Sequence, residues 1–334
     1  MTAAMVAAMA GCGNSTEPAA DDAAEPAATE ASTEAAASDE VLNANADNKL
    51  IYCITPSTSN PYFGVVQTAC QEEGEKLGYT VKCVSHDDDA TKQSELFDTA
   101  ISEGASAIVC DNAGADASIE AVQKARDAGI PTFLVDREIN QEGIAVAQIV
   151  ANNSQGATAA AQALVEATGG EGQYAELLGL ESDTNCQVRS DAFHAVIDQT
   201  NMEMVAQQSA NWDQTEGQQK AETILQQYPD IVAIVCGNHT MACGAAAAVE
   251  SANLDHEVYI IGVDGSNDMR DNIKEGKCLA TGLQQIDLIT RNAVNQANDY
   301  LTTGSTGMEE KQLVDCVLIN ADNADKLDNF VYTE

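Results

Sequence analysis

Four short apolar runs in this chain end in a polar side chain able to hold a small molecule: Asp111, Asp136, Asn238 and Asp264. They follow the runs Ala107–Cys110, Thr132–Val135, Ala233–Cys236 and Val258–Val263. In an open parallel sheet, ligands bind outside the carboxyl ends of the strands. Asn and Asp are also common turn and N-cap residues, but four of them at four separate strand ends exceed what turn chemistry alone explains. Asp136 and Arg137 form the strongest local pair. A carboxylate accepts from two hydroxyls, and the adjacent guanidinium offers a rigid fork of donors, both through charge-assisted bonds. The competing reading is a surface ion pair. Aromatics are only 4% of the chain, and its single tryptophan, Trp212, is flanked by Asn211 and Asp213. A polar-flanked Trp in so aromatic-poor a chain reads as a platform for a ligand ahead of a core residue.

The elements that must position these groups alternate. β-rich runs at Leu50–Ile54, Thr80–Val84, Ala107–Cys110, Thr132–Val135, Tyr174–Leu178, Met204–Gln207, Ala233–Cys236, Val258–Val263 and Cys278–Leu283 are separated by helical stretches such as Gly64–Leu77, Gly156–Thr168, Arg189–Gln199 and Ile286–Thr303. That rhythm predicts a doubly wound α/β chain with parallel sheets covered by helices. At 334 residues and 44% apolar content, the chain has material for two cores, so two lobes are expected.

Composition excludes several functions. The balance of 15 Lys+Arg against 53 Asp+Glu leaves a formal charge of -38, which repels nucleic acid and anionic lipid. The acidic, Ala-rich stretch ahead of Leu50 leaves no place for the helix-turn-helix of a transcription regulator. There is no P-loop, no G-x-S-x-G elbow and no paired general acid and base at a recognisable spacing, so no catalytic residues are expected, even though Val263-Asp264-Gly265-Ser266 loosely suggests a phosphoryl-transfer acid. Nor does any segment of the mature chain have the roughly 18 consecutive apolar residues that a membrane span needs.

The N-terminus reads as a processing signal. Residues 1–12 are small and apolar and end in Met9-Ala10-Gly11-Cys12, the pattern of a bacterial lipoprotein cleavage site, with Cys12 the residue to be lipidated. Residues 13–48 carry nine acids, no bases and no aromatic, and are expected to form a disordered acidic linker. The other nine cysteines are odd in number and contain no C-x-x-C pair. Several lie inside apolar runs, where a thiol packs as a small hydrophobe. The four His show no ligand spacing with them, so no metal or other cofactor is expected.

Five segments then carry a resemblance: Asn60-Pro61-Tyr62-Phe63, Ile130 to Arg137, Cys236-Gly237-Asn238-His239-Thr240-Met241-Ala242, Ile261-Gly262-Val263-Asp264-Gly265 and Leu279-Ala280-Thr281-Gly282-Leu283-Gln284. In this order and spacing, the chain from about Lys49 onward resembles the periplasmic sugar-binding proteins of the ribose, galactose and xylose type, which serve ABC importers. The resemblance implies the type I periplasmic binding fold: two doubly wound parallel-sheet lobes joined by a three-segment hinge. The first lobe would comprise 49–151 plus 285–313, and the second 152–284 plus 314–334. It implies a monomer, exported and lipid-anchored to the cell membrane, that closes on a monosaccharide or polyol and docks on a permease. A role feeding a chemoreceptor or sensor kinase is the alternative.

The same resemblance implies ligand contacts from Asn60, Tyr62, Phe63, Asp111, Asp136 and Arg137 on one wall. Asn153, Arg189, Trp212, Asn238, Asp264 and Gln284 would act from the other wall and the hinge. Sugar hydroxyls donate and accept while C–H faces are apolar, which suits carboxylates, amides and guanidinium between aromatic walls. Tyr62, Phe63 and Trp212 are the stacking candidates, with core packing the alternative for Phe63. His239 is expected either to contact ligand or to cap the next helix.

Overall fold

A computed structural model describes residues 41–333. Its elements run β1 (Leu50–Thr55), α1 (Pro61–Lys76), β2 (Thr80–Ser85), α2 (Ala90–Ser102), β3 (Ala107–Cys110), α3 (Ile119–Asp127), β4 (Thr132–Val135) and β5 (Ala147–Ala151). Then follow α4 (Asn153–Thr168), β6 (Glu171–Leu178), α5 (Thr184–Ile197), β7 (Asn201–Ser209), α6 (Gln214–Gln227), β8 (Ala233–Cys236), α7 (His239–Ala252), β9 (Tyr259–Val263), α8 (Asn267–Lys274) and β10 (Ala280–Leu283). The chain ends with α9 (Ile286–Thr303), β11 (Lys311–Val314), β12 (Val317–Asn320), β13 (Leu327–Asp328) and β14 (Val331–Tyr332).

The strands form two six-stranded sheets ordered β11-β5-β4-β3-β1-β2 and β12-β10-β9-β8-β6-β7. Every pairing in them is parallel except β10 with β12. The chain passes from one sheet to the other three times: after β5, after β10 and between β11 and β12. This is the two-lobed, doubly wound α/β architecture with a three-segment hinge. The central strands β3, β4 and β8 are buried along their whole length, as strands covered by helices on both faces must be. The edge strands β2 and β7 keep exposed positions.

Two differences from the sequence reading concern weak local signals. Strands β5 and β11 to β14 were not anticipated; β5 is a five-residue run whose apolar character is interrupted by Gln148, and β11 is held as an edge partner of β5 through Lys311–Gln148 to Val314–Ala151. Residues 41–48, expected to continue the disordered linker, pack on the fold instead. Leu42 is buried and its N–H donates to Tyr300 Oη at 3.1 Å, Ala44 N donates to Gly129 O, and Asn48 Nδ2 donates to Gly104 O. One apolar anchor and two asparagines that donate to backbone carbonyls, Asn45 to Ala105 and Asn48 to Gly104, hold this segment. The expected cleavage segment, Cys12 and the linker up to residue 40 lie outside the described residues.

All nine cysteines of the described residues are free, and eight are buried, matching the expectation that they pack as small hydrophobes rather than as a disulfide framework. No described helix is long and apolar enough to cross a membrane.

Candidate functional site

The carboxyl ends of both sheets face a narrow crevice, partly open to solvent, lined by Asn60, Tyr62, Phe63, Asp136, Arg137, Asp183, Arg189, Trp212, Asn238, Asp264 and Gln284. Helix starts aim several of these groups. Asn60 caps α1, its Oδ1 accepting from Tyr62 N at 3.1 Å, with Pro61 in the first helical position, where its missing N–H costs nothing. Asp183 caps α5 and Asn238 caps α7, Asn238 Oδ1 accepting from Met241 N at 3.0 Å. For Asn238, therefore, capping and crevice lining coexist in one side chain. Asp136 and Asp264 sit immediately after β4 and β9 at φ of +61° and +74°. Short polar side chains tolerate this left-handed conformation best among non-glycine residues, and it turns both carboxylates off their strands at the sheet edge.

Two arginines organise the polar lining. Arg137, from the first lobe, places Nη1 2.7 Å from Asp88 Oδ1 and 3.0 Å from Asn112 O, while Nε lies 3.0 Å from Asp183 Oδ2 and 3.5 Å from Asp111 Oδ1. The Nε contacts are ion pairs without hydrogen-bond alignment, since Nε has no directed acceptor. Arg189, from the second lobe, donates from Nε to Asn153 Oδ1 at 2.7 Å and from Nη1 to Gly237 O at 2.8 Å, and Nη2 stands 3.3 Å from Asp264 Oδ1. Each guanidinium also lies over an aromatic ring, Arg137 5.4 Å from Phe63 and Arg189 5.1 Å from Trp212. The bare surface ion-pair reading of Asp136-Arg137 fails, because both side chains are buried.

The carboxylates respond to this burial. Burial and the nearby Asp183 push the Asp136 carboxyl up to about 6 despite Arg137. Burial, with Asp136 adding to it, lifts Asp111 well above the usual carboxylate range against the pull of Arg137. Asp264 goes the other way. Burial opposes its ionisation, but Arg189 and the His239 contact outweigh that and hold it below the usual range. Burial and Asp136 push the Tyr62 phenol well up, so it stays a donor, and its Oη donates to Asp136 Oδ1 at 2.9 Å.

Of the twelve expected contact residues, ten line the crevice together. Asp111 and Asn153 do not. Asp111 is fully buried behind Arg137 with neither carboxylate oxygen hydrogen-bonded, and Asn153 lies behind Arg189, bridging it to Asn185. Their place is to set the two guanidinium planes. Asp183 was missed as a lining residue; its signal was an acid three residues beyond Leu180 that opens a helix, visible only as an N-cap. His239, left between two roles, is buried with Nδ1 3.1 Å from Asp264 Oδ2 and Nε2 unpartnered. The aromatic walls are held under tension. Asn211 and Trp212 both have positive φ, +52° and +61°, which is uncommon for a bulky residue. Among the described residues there is no group of three or more His, Cys, Asp or Glu able to hold a metal ion.

Residues 51–306 match the model of the periplasmic binding protein domain. The chain belongs to the periplasmic binding protein family. Its relatives include a D-apiose import binding protein of Actinobacillus succinogenes, 52% identical over 287 residues that span 85% of this chain and 92% of the relative. A D-apiose import binding protein of Paraburkholderia graminis is 53% identical over 282 residues, 84% of this chain and 90% of that protein. Among solved structures, an ABC transporter periplasmic solute-binding protein from Actinobacillus succinogenes with bound D-allose superimposes with a TM-score of 0.78 at 25% identity, covering 83% of this chain and 99% of that one. These periplasmic binding relatives are named for binding and import, not for a reaction, and this chain is likewise a binding protein and not an enzyme.

Proposed function

We propose that this periplasmic binding protein is the solute receptor of an ABC importer and closes on a neutral monosaccharide, D-apiose or a closely similar pentose. The observation that carries the reading is the placing of Arg137 and Arg189 from opposite lobes on one crevice, Arg137 held by several carboxylates, Arg189 by Asp264, Asn153 and the Gly237 carbonyl, and each backed by an aromatic ring. Carboxylates outnumber guanidiniums there: Asp136, Asp183 and Asp264 line the crevice, buried against two arginines. Such an excess disfavours a phosphate or carboxylate ligand and suits one that can donate from several hydroxyls. The names of the two relatives at 52% and 53% identity favour the branched pentose D-apiose.

In this reading Asn60, Tyr62, Phe63, Asp136 and Arg137 touch the sugar from the lobe of residues 49–151 plus 285–313. Asp183, Arg189, Trp212, Asn238, Asp264 and Gln284 touch it from the lobe of 152–284 plus 314–334, while Asp111 and Asn153 act through the arginines. Contacts from both walls exist together only when the lobes are closed, so the ligand shifts the equilibrium by its differential affinity, and the closed form docks on the permease. The protein works outside the cytoplasm as a monomer tethered through a lipid on Cys12.

A thermal-shift panel of D-apiose, D-ribose, D-allose, myo-inositol and a sugar phosphate tests this. At a ligand concentration of about 100 times Kd, stabilisation amounts to ~2.7 kcal/mol. The expected result is the largest shift with D-apiose and none with the phosphate. A chain stabilised by the phosphate and by no neutral sugar contradicts the charge argument.

A further inference from the structure

The C-terminal β13–β14 hairpin does something unusual at its tip. Its strands pair through Leu327–Tyr332 and Asp328–Val331, leaving a two-residue turn, Asn329-Phe330, with φ of +45° and +64°. Positive φ at both central residues is the geometry of a type I′ turn, whose second position normally belongs to glycine. A bulky residue there is an outlier. Yet Phe330 is only 1% exposed, while its strand neighbour Val331 is 42% exposed. The hairpin buries the second residue of its turn along with Leu327, while Asn329 and Val331 face solvent.

What the ring reaches accounts for this. Phe330 packs edge-to-face on Tyr62, ring centroids 5.3 Å apart, and edge-to-face on His239 at 5.4 Å. Tyr62 belongs to α1 of the first lobe and donates to Asp136; His239 belongs to α7 of the second lobe and contacts Asp264. One ring therefore stands behind partners of two of the crevice carboxylates, Asp136 and Asp264. The hairpin itself is fixed to the second lobe. Arg270 Nη1 donates to Leu327 O at 3.2 Å, Asn329 N donates to Asn267 Oδ1 at 2.6 Å, and Lys274 pairs with Asp325. The contact with Tyr62 crosses to the other lobe, as does the packing of β14 on α9.

We infer that Phe330 is a positioning residue for ligand binding: a latch carried by the second lobe that orients Tyr62 and His239 and is completed only when the lobes close. The inference rests on the sugar-binding reading above. Strain held at a turn tip persists where surrounding contacts over-determine it, and here those contacts lie on two separate lobes. Aromatic pairs in edge-to-face geometry add to what burial alone contributes, so losing both pairs disfavours the closed state.

Calorimetric titration with D-apiose and D-ribose, alongside unfolding of the ligand-free protein, tests it with three variants. Phe330→Gly creates Asn-Gly, the preferred type I′ sequence, so the turn relaxes while the ring is lost. The expected result is a lowered unfolding midpoint, from the cavity the buried ring leaves, and, measured below that midpoint, a Kd raised about tenfold or more. Asn329→Gly relaxes the same turn with the ring in place and is expected to bind as the wild type does. Phe330→Tyr retains the ring and is expected to restore most of the affinity lost in Phe330→Gly. Small-angle scattering is expected to show the Phe330→Gly protein needing more sugar to close. Unchanged affinity in Phe330→Gly, or equal weakening in Asn329→Gly, overturns the role of Phe330. A wild-type protein that binds neither sugar overturns the underlying reading instead.

Discussion

Arg137 Nε lies 3.0 Å from Asp183 Oδ2, and the two residues belong to different sheets. Arg137 is the shared cation for Asp88, Asp111 and Asp183, with Asp136 at 4.0 Å. Truncating one partner of a buried charge cluster leaves the others without counter-charge, at a cost of about 3–5 kcal/mol. Arg137→Ala is therefore expected to lower the unfolding free energy by roughly that amount and to abolish the response to sugar. Asp183→Asn keeps the shape and the Trp212 contact while removing one charge from the lobe-to-lobe pair, and is expected to weaken binding with little loss of stability. Denaturant unfolding and calorimetry separate the two. An Arg137→Ala protein as stable as the wild type contradicts the account of the cluster.

The raised carboxyl of Asp136, about 6 in the fold against roughly 3.9 in an unfolded chain, sets a pH dependence. Between these values the native state holds more proton than the unfolded state, so stability falls as pH climbs through the window and levels above it. Asp111 acts in the same direction at higher pH. Asp264, held low, acts oppositely: its stabilising pairing is present above the unfolded value and is lost as pH falls through its folded one. Sugar binding that uses ionised Asp136 strengthens from pH 5 to 7. Melting temperature and Kd measured across that range are expected to diverge, one falling while the other tightens. Asp136→Asn removes the portion due to Asp136, and a slope unchanged in that variant assigns the effect elsewhere.

Legibility in the sequence followed the strength of the local signal. Nine strands were readable because central parallel strands are continuous apolar runs, and a polar residue at the end of such a run is a position as much as a type; that is why Asp136, Asn238 and Asp264 were found together. Asp111 shows the limit of the rule. It ends β3 like the others, but whether a strand-end carboxylate meets the crevice or backs an arginine depends on side-chain distance across the sheet, which spacing along the chain does not encode. Asp183 escaped because its only local mark is that of a helix cap. Phe330 escaped because nothing in Leu327 to Tyr332 announces that a turn residue is buried as deeply as Leu327.

Gly179 offers a steric test of the aromatic wall. A Cβ placed there would sit 2.1 Å from Trp212 Cη2 and Cζ2, so the indole lies flat on bare backbone just after β6. Gly179→Ala must displace the ring, and with it the Trp212 Nε1 bond to Asp183 Oδ2 and the Arg189 guanidinium stacked at 5.1 Å. Overpacking of this kind costs about 1–3 kcal/mol. The expected outcome is a destabilisation in that range together with a binding loss larger than stability alone explains, read by calorimetry below the melting temperature. Full affinity in this variant is incompatible with Trp212 as a wall of the site.

Trp212, the only tryptophan, is a built-in reporter. It is 9% exposed, its Nε1 donates to Asp183 at 3.2 Å, and its ring faces the crevice beside Arg189. A sugar stacked on that face changes both the polarity at the ring and the donor bond, so tyrosine-independent emission excited at the red edge is expected to shift and to saturate with the calorimetric Kd. Trp212→Phe retains an apolar face but loses the donor, leaving Asp183 with Arg137 and the Asn185 N–H; a roughly ten- to hundredfold weaker affinity is expected, near the 1.5–3 kcal/mol of a hydrogen bond to a charged group. Trp212→Ala removes the face as well and is expected to lose more. If emission stays constant while calorimetry records saturable binding, the ligand sits elsewhere and the stacking role falls.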